Sequence, residues 1–168
     1  MSDHVLGTER LTLRPLRHAD AGLIELYAGN ACVARMTSSI PHPYPPGSAA
    51  AFIEKTLRTG ALTWAIDHNG SSEGQIIGVI GLREDTEIGY WLGEPFWSTG
   101  FATEAVDAVI GEARRRGLPE LRARVFQDNP ASARVLTKVG FAYEAAGEVY
   151  SAARAAVVPD WRYRLVLS

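Results

Sequence analysis

Between Trp97 and Glu104 the chain reads W-S-T-G-F-A-T-E, a small-residue turn that leads into a long helical pattern. The first turn of such a helix carries unpaired N–H groups at the positive end of the helix dipole, a combination that binds phosphate. Gly100 and Ala102 keep side chains out of an anion's path to the backbone, and Thr99 and Thr103 add hydroxyl donors. The same residues also describe an ordinary helix after a glycine turn. A second set, N-P-A-S at Asn129 to Ser132, starts another helix, with Asn129 suited to the cap and Pro130 to the first helical position. Asn129, Ser132, Leu136 and Val139 share one side of that helix, so an amide and a hydroxyl end an apolar stripe. A serine so placed commonly bonds a backbone carbonyl.

The elements that must hold these residues follow from periodicity. Glu9 to Leu16 alternates apolar Leu11 and Leu13 with polar Arg10, Thr12 and Arg14, a half-buried strand stopped by Pro15. Asp20 to Tyr27 reads as a helix capped by Asp20, and Ser48 to Arg58 as a second helix beyond the proline-rich loop Pro41 to Gly47. Strands at Leu62–Asp67, Gln75–Leu82 and Glu87–Leu92, split by polar turns at His68 to Ser72 and Glu84 to Thr86, make an antiparallel meander. After Gly100, the residues Ala102, Ala105, Val106, Val109, Ile110 and Ala113 lie on one helical face, closed by Arg114-Arg115-Arg116-Gly117. Leu121–Phe126 is a strand and Pro130 to about Val139 a helix ending at Gly140. Two last strands lie near Phe141–Tyr150 and Trp161–Leu167. The order β-α-α-β-β-β-α-β-α-β-β is an α+β pattern.

Composition bounds the rest. At 168 residues, 46% hydrophobic and 21% charged, the chain reads as one domain over 1–168, with no repeat or linker. A net charge of -2 and a pI of 6.1 argue against a nucleic-acid partner. No apolar stretch approaches the ~20 residues of a membrane helix, and no leader opens the chain. Cys32 is the single cysteine, which fits a reducing cytoplasm. His4, His18, His42 and His68 show no ligand spacing, so no metal is expected.

Taken together, the motifs resemble the GNAT acetyltransferase superfamily, in particular its RimJ/RimL-like branch. The family's pyrophosphate loop has the form Q/R-x-x-G-x-G/A, and Trp97-Ser98-Thr99-Gly100-Phe101-Ala102 fills that frame. Trp97 replaces the usual Gln or Arg, a habit of the branch when an I-G-Y-W strand precedes and A-T-E-A follows. Thr99 stands where Lys or Gln is more usual. The likeness runs from E-R-L-T-L-R-P-L to the final strand. It implies a mixed, mostly antiparallel seven-stranded sheet, splayed between its fourth and fifth strands, with about four helices.

The resemblance also implies acetyl-CoA as co-substrate and transfer of acetyl to an amine by direct attack in a ternary complex. Its pyrophosphate would lie over Trp97 to Thr103, and its pantetheine arm would meet Trp91, Leu92 and Gly93 in the splay and Asn129. Ser132 would sit near the coenzyme sulfur, as proton donor or hydrogen-bond partner to the thiolate. Leu136 stands where many GNAT enzymes carry a tyrosine acid. Glu87, beside the cleft, and Glu148, on the sixth strand, are the candidate general bases, each equally at home as a solvated charge. Tyr44, Tyr90, Trp91 and Tyr150 are candidates for the acceptor pocket, although strand aromatics usually pack in cores. Arg114 to Arg116 either close the helix or meet the coenzyme's 3′-phosphate. The branch favours a protein N-terminus as acceptor, with small-molecule amines as the other class, and a monomer or homodimer. The rival reading is a non-catalytic acyl-CoA-binding module of the same fold.

Overall fold

The computed structural model describes residues 5–69, 75–83 and 86–168. His4 and parts of the two polar turns, at 70–72 and 84–85, lie outside the described residues. The strand β1 (Leu6–Gly7) precedes β2 (Leu11–Pro15), and three helices follow: α1 (Ala21–Ala28), α2 (Ala31–Ala34) and α3 (Ser48–Thr59). The meander is β3 (Leu62–His68), β4 (Ile76–Leu82) and β5 (Ile88–Leu92). Then come α4 (Phe101–Arg115), β6 (Glu120–Phe126), α5 (Pro130–Lys138), β7 (Ala142–Ser151) and β8 (Ala156–Val166).

The strands form two antiparallel sheets, in the orders β1-β2-β3-β4-β5 and β6-β8-β7. Among the described residues, a parallel bridge between Glu87 and Arg122 joins them along their facing edges. The expected splay between the fourth and fifth strands is therefore present, and it lies between β5 and β6. Among the described residues, eight strands and five α-helices replace the expected seven and four. The additions, β1 and α2, span two and four residues, too short to show a period. The last strand, expected near Trp161–Leu167, begins earlier, at Ala156, and includes Pro159. The Pro159 carbonyl accepts from Gln127 N. Its missing N–H therefore faces the side on which β6 has already ended at Phe126.

One core lies between the sheets and helices α4 and α5. It includes Leu11, Leu13, Ile66, Ile80, Val106, Ile110, Leu121 and Leu136. A smaller cluster, with Ile24, Ile53, Ile76 and Val79, lies on the other face under α1 and α3. Because both of its faces are covered, β4 is apolar at nearly every position. Arg14 and Asp20 depart from expectation. The Asp20 side chain does not cap α1. Its carboxylate accepts from Arg14 at 2.8 and 3.0 Å and from Arg17 N at 2.8 Å, while Asp67 accepts from Arg14 Nε at 3.0 Å. All three side chains of this Arg–Asp–Asp cluster are buried, so Arg14 faces inward, paired, instead of toward solvent.

Candidate active site

The Trp97–Thr103 segment is held from behind. Gly100 precedes α4 at φ +83°, a left-handed conformation that glycine adopts without strain, and no side chain caps the helix. The turn between β1 and β2 grips the first turn of α4: Glu104 accepts from Arg10 N and Arg10 Nε, each at 2.8 Å, and from the Thr8 hydroxyl. Arg10 also donates to Thr99 O at 3.0 Å and stacks over the Phe101 ring at 4.4 Å. Burial pushes the Glu104 carboxyl up, but the bonds from Thr8 and Arg10 outweigh it and hold it below the usual carboxylate range. The result is a rigid helix start whose Ala102 and Thr103 amides face outward from an uncapped end.

The inner edge of β5 borders the gap. Arg83 N donates to Glu87 O and Gly93 N to Ile77 O, which fixes which pairs of the β4–β5 ladder are hydrogen-bonded. By that alternation Trp91 turns its peptide groups to Val79, whereas Tyr90 and Leu92 turn theirs into the splay. This corrects the expectation for Trp91, whose ring but not backbone addresses the cavity. The Leu92 carbonyl accepts from the Trp97 indole at 2.9 Å, and Gly93 packs so tightly on Tyr27 that a Cβ would lie 2.7 Å from the ring.

Across the gap, α5 begins as its sequence predicts. Asn129 Oδ1 accepts from Ser132 N at 3.3 Å, with Pro130 at the first helical position. The Ser132 hydroxyl and the Tyr90 hydroxyl lie 2.6 Å apart. Burial raises the Tyr90 phenol to about 12 despite the opposing effect of the bond to Ser132, so it stays protonated at neutral pH. Nothing in the local sequence connects these two residues. The splay brings them together.

A cavity of about 1760 Å³ runs through the splay from the α4 start to α1, α2 and the proline-rich loop. That is more than the ~300–1,000 Å³ of a pocket for one small ligand. It gathers Trp91, Leu92, Trp97 to Thr103, Asn129, Ser132, Tyr44, Tyr90 and Glu87. Gly93, Glu148 and Tyr150 lie outside its lining. Strand parity explains the last two: Val149 lines the cavity, and its neighbours Glu148 and Tyr150 project to the opposite face. Tyr150 is also exposed rather than packed in a core. Both Glu87 oxygens are engaged, by Arg124 at 2.6 and 3.1 Å and by Arg83 at 3.1 Å. Of the arginine run, Arg115 and Arg116 both bind the buried Glu112 carboxylate, and Arg116 also reaches the cavity.

Charged cavity residues that the sequence does not single out include three that bear on the site. Arg134 and Lys138 line it from α5, and Asp160 from β8. A lone carboxylate in the strand V-V-P-D-W is the signal that points to Asp160. Beside the cavity residue Asp128, Arg154 of the β7–β8 turn donates to both Asp128 oxygens at 2.6 and 3.0 Å and to Arg35 O at 2.8 Å.

An acetyltransferase (GNAT) domain model matches residues 10–142. The chain is 32% identical over 152 residues to the uncharacterized N-acetyltransferase YoaA of Bacillus subtilis, covering 83% of this chain and 84% of that one. It is 37% identical over 81 residues to the ribosomal-protein-serine acetyltransferase of Escherichia coli, covering 43% of this chain and 44% of the relative. A GNAT-family acetyltransferase structure from Bacillus anthracis superposes with a TM-score of 0.85 at 19% identity, covering 98% and 99% of the two chains. With a split sheet, a glycine-turned helix start at the split and a family model over most of its length, the chain belongs to the GNAT acetyltransferase family, whose acetyl donor is acetyl-CoA.

Proposed function

We propose that this protein transfers the acetyl group of acetyl-CoA to a primary amine by direct attack, with both substrates in the cavity at once. The Ala102 and Thr103 amides at the uncapped start of α4 suit the pyrophosphate, with Gly100 and Ala102 leaving the approach clear. The peptide groups of Tyr90 and Leu92 suit the pantetheine amides, which would add to the β5 edge as a further strand does. Asn129, Arg134 and Lys138 stand on the α5 side for the rest of the coenzyme. A protein N-terminus is the favoured acceptor, supported by the resemblance to the ribosomal-protein-serine enzyme, and a small amine is the other class. The exposed, unpaired Cys32 suits a reducing cytoplasm.

The observation that carries this reading is the Tyr90–Ser132 hydroxyl pair, 2.6 Å apart, within the cavity. A thiolate leaving beside it would accept a hydrogen bond from Ser132 while Tyr90 bonds the serine oxygen. A charge that develops only in the transition state is stabilised most by donors already in place. The pair stands in for the tyrosine acid that Leu136 replaces. The test is thiol release from acetyl-CoA with a panel of free-amine peptides and small amines. Release that depends on one class of amine supports transfer and identifies the acceptor. Coenzyme binding without release for any amine overturns the reading.

A further inference from the structure

Asp160 is fully buried, and its Oδ2 has no hydrogen-bond partner among the described residues. The other oxygen, Oδ1, accepts one long bond of 3.3 Å from Arg162 Nε. A buried carboxylate left half-satisfied is unfavourable, and natural folds retain one chiefly where something else completes it. Asp160 lines the cavity. It lies opposite Phe126 of β6 and Gly147 of β7, so these three share a sheet face with Val149 and Val158. Trp161 and Tyr163, one step along, belong to the face that packs on α4 and α5. Tyr90 belongs to that second face, whereas Trp91 and Tyr44 pack with the cluster under α1 and α3. Asp160 and the Tyr90–Ser132 pair therefore border the splay from opposite faces. An acyl transfer by direct attack is served by such a separation, because one group must receive the amine's proton and another must meet the departing sulfur. No other candidate carboxylate is as well placed: both Glu87 oxygens are held by arginines, and Glu148 projects to the other face of β7.

Resting on the transferase reading above, we propose that Asp160 Oδ2 receives the acceptor's ammonium and takes its first proton, so that the site selects primary amines that are cations in water. The freed lone pair forms the C–N bond, and the C–S electron pair departs with sulfur. The thiolate takes a proton from the Ser132 hydroxyl, which is restored by the second proton of the new amide nitrogen. Overall R–NH₃⁺ and acetyl-CoA give R–NH–CO–CH₃, CoA–SH and one proton, which Asp160 releases to water. Phe126, Trp91, Val149 and Tyr44, which line the same cavity, carry no charge, and the other carboxylates in the lining, Glu87 and Asp128, are each held by arginines on both oxygens.

The test compares a cationic acceptor, a free-amine peptide, with hydroxylamine, which is neutral at pH 7.5, in the wild type and in Asp160→Asn. The substitution keeps shape and removes charge. Acetyl-CoA affinity, measured by calorimetry, should be unchanged, and kcat/KM for the peptide should fall at least 100-fold while turnover of hydroxylamine changes less than about threefold. An equal loss for both acceptors, or none for either, overturns the assignment. Should Asp160→Asn fail to fold, the wild type decides alone. A tertiary ammonium compound should compete with hydroxylamine, and its uncharged carbon isostere should not; equal inhibition by the two overturns it. A wild type that binds acetyl-CoA and acetylates hydroxylamine but no cationic amine refutes the Asp160 proposal and leaves transferase activity standing. A wild type that turns over no acceptor refutes the transferase reading and this proposal with it.

Discussion

The two ends of the cavity are built by different means. At the end proposed for the coenzyme, Trp97 to Thr103 is one contiguous stretch that would work through its backbone, with Gly100 at φ +83° and an uncapped helix. At the end proposed for the acceptor, Tyr44, Phe126, Val149 and Asp160 come from distant parts of the chain and would act through side chains. A backbone site tolerates many side chains but few changes of conformation. A side-chain site has the opposite sensitivities, and substitutions at the two ends should therefore fail in different assays.

The largest effect is expected at Gly100. Gly100→Val forces a β-branched residue into the left-handed region, a strain of about 1–3 kcal/mol, and brings Cβ to 3.1 Å from Arg10 Nη2. Calorimetry should find acetyl-CoA affinity reduced beyond detection in a protein that still folds. Unchanged affinity would separate the loop from the coenzyme. Ser132→Ala comes next: kcat should fall about 10²-fold with KM for acetyl-CoA nearly constant. Tyr90→Phe should lose rate in the same manner, since it removes the partner of the same hydroxyl. Full activity in both would mean that water protonates the thiolate.

Asn129→Ala mixes the two kinds of site. Loss of the cap should lower stability by about 1 kcal/mol, and coenzyme affinity should weaken as well. A lower Tm with unaltered affinity would leave Asn129 as a cap alone. The smallest effect concerns Glu104, which is held below its ordinary value when folded. The folded state therefore binds this proton less tightly than the unfolded chain does. Its contribution is present above the unfolded value near 4.5 and is lost as pH falls through the lower folded one. Glu104→Gln should cost at most about 1 kcal/mol at pH 7 and converge with the wild type in acid. A difference independent of pH would assign the loss to packing.

The contrast also explains how much could be read from residues alone. The Gly100 turn, the α5 cap and the meander depend on neighbours within a few positions, and their types state their conformations. The splay was anticipated by family likeness, and the burial of both faces of β4 agrees with its unbroken apolar run. What escaped depends on register or on distant pairing. Asp20 looked like a cap because its partner Arg14 could not be seen to turn inward. Glu148 and Tyr150 were placed in the site and Val149 was not, a one-residue parity that only the pairing with β8 decides. Asp160 has a weak signal, one carboxylate in an apolar strand, with no motif around it to say what it faces. Tyr90 and Ser132 are 42 positions apart, and their contact exists only through the packing of α5 against the end of β5.

The alternation along β5 implies a pattern in time. Trp91 N–H is locked into the ladder with β4, and its amide proton should exchange with solvent slowly whether or not coenzyme is present. Tyr90 and Leu92 offer theirs to the open splay and should exchange orders of magnitude faster in the free protein. Saturation with acetyl-CoA would then slow those two protons and leave the one between them untouched. Three consecutive residues would thus record occupancy of the cleft as a slow, gated clock flanked by two fast ones.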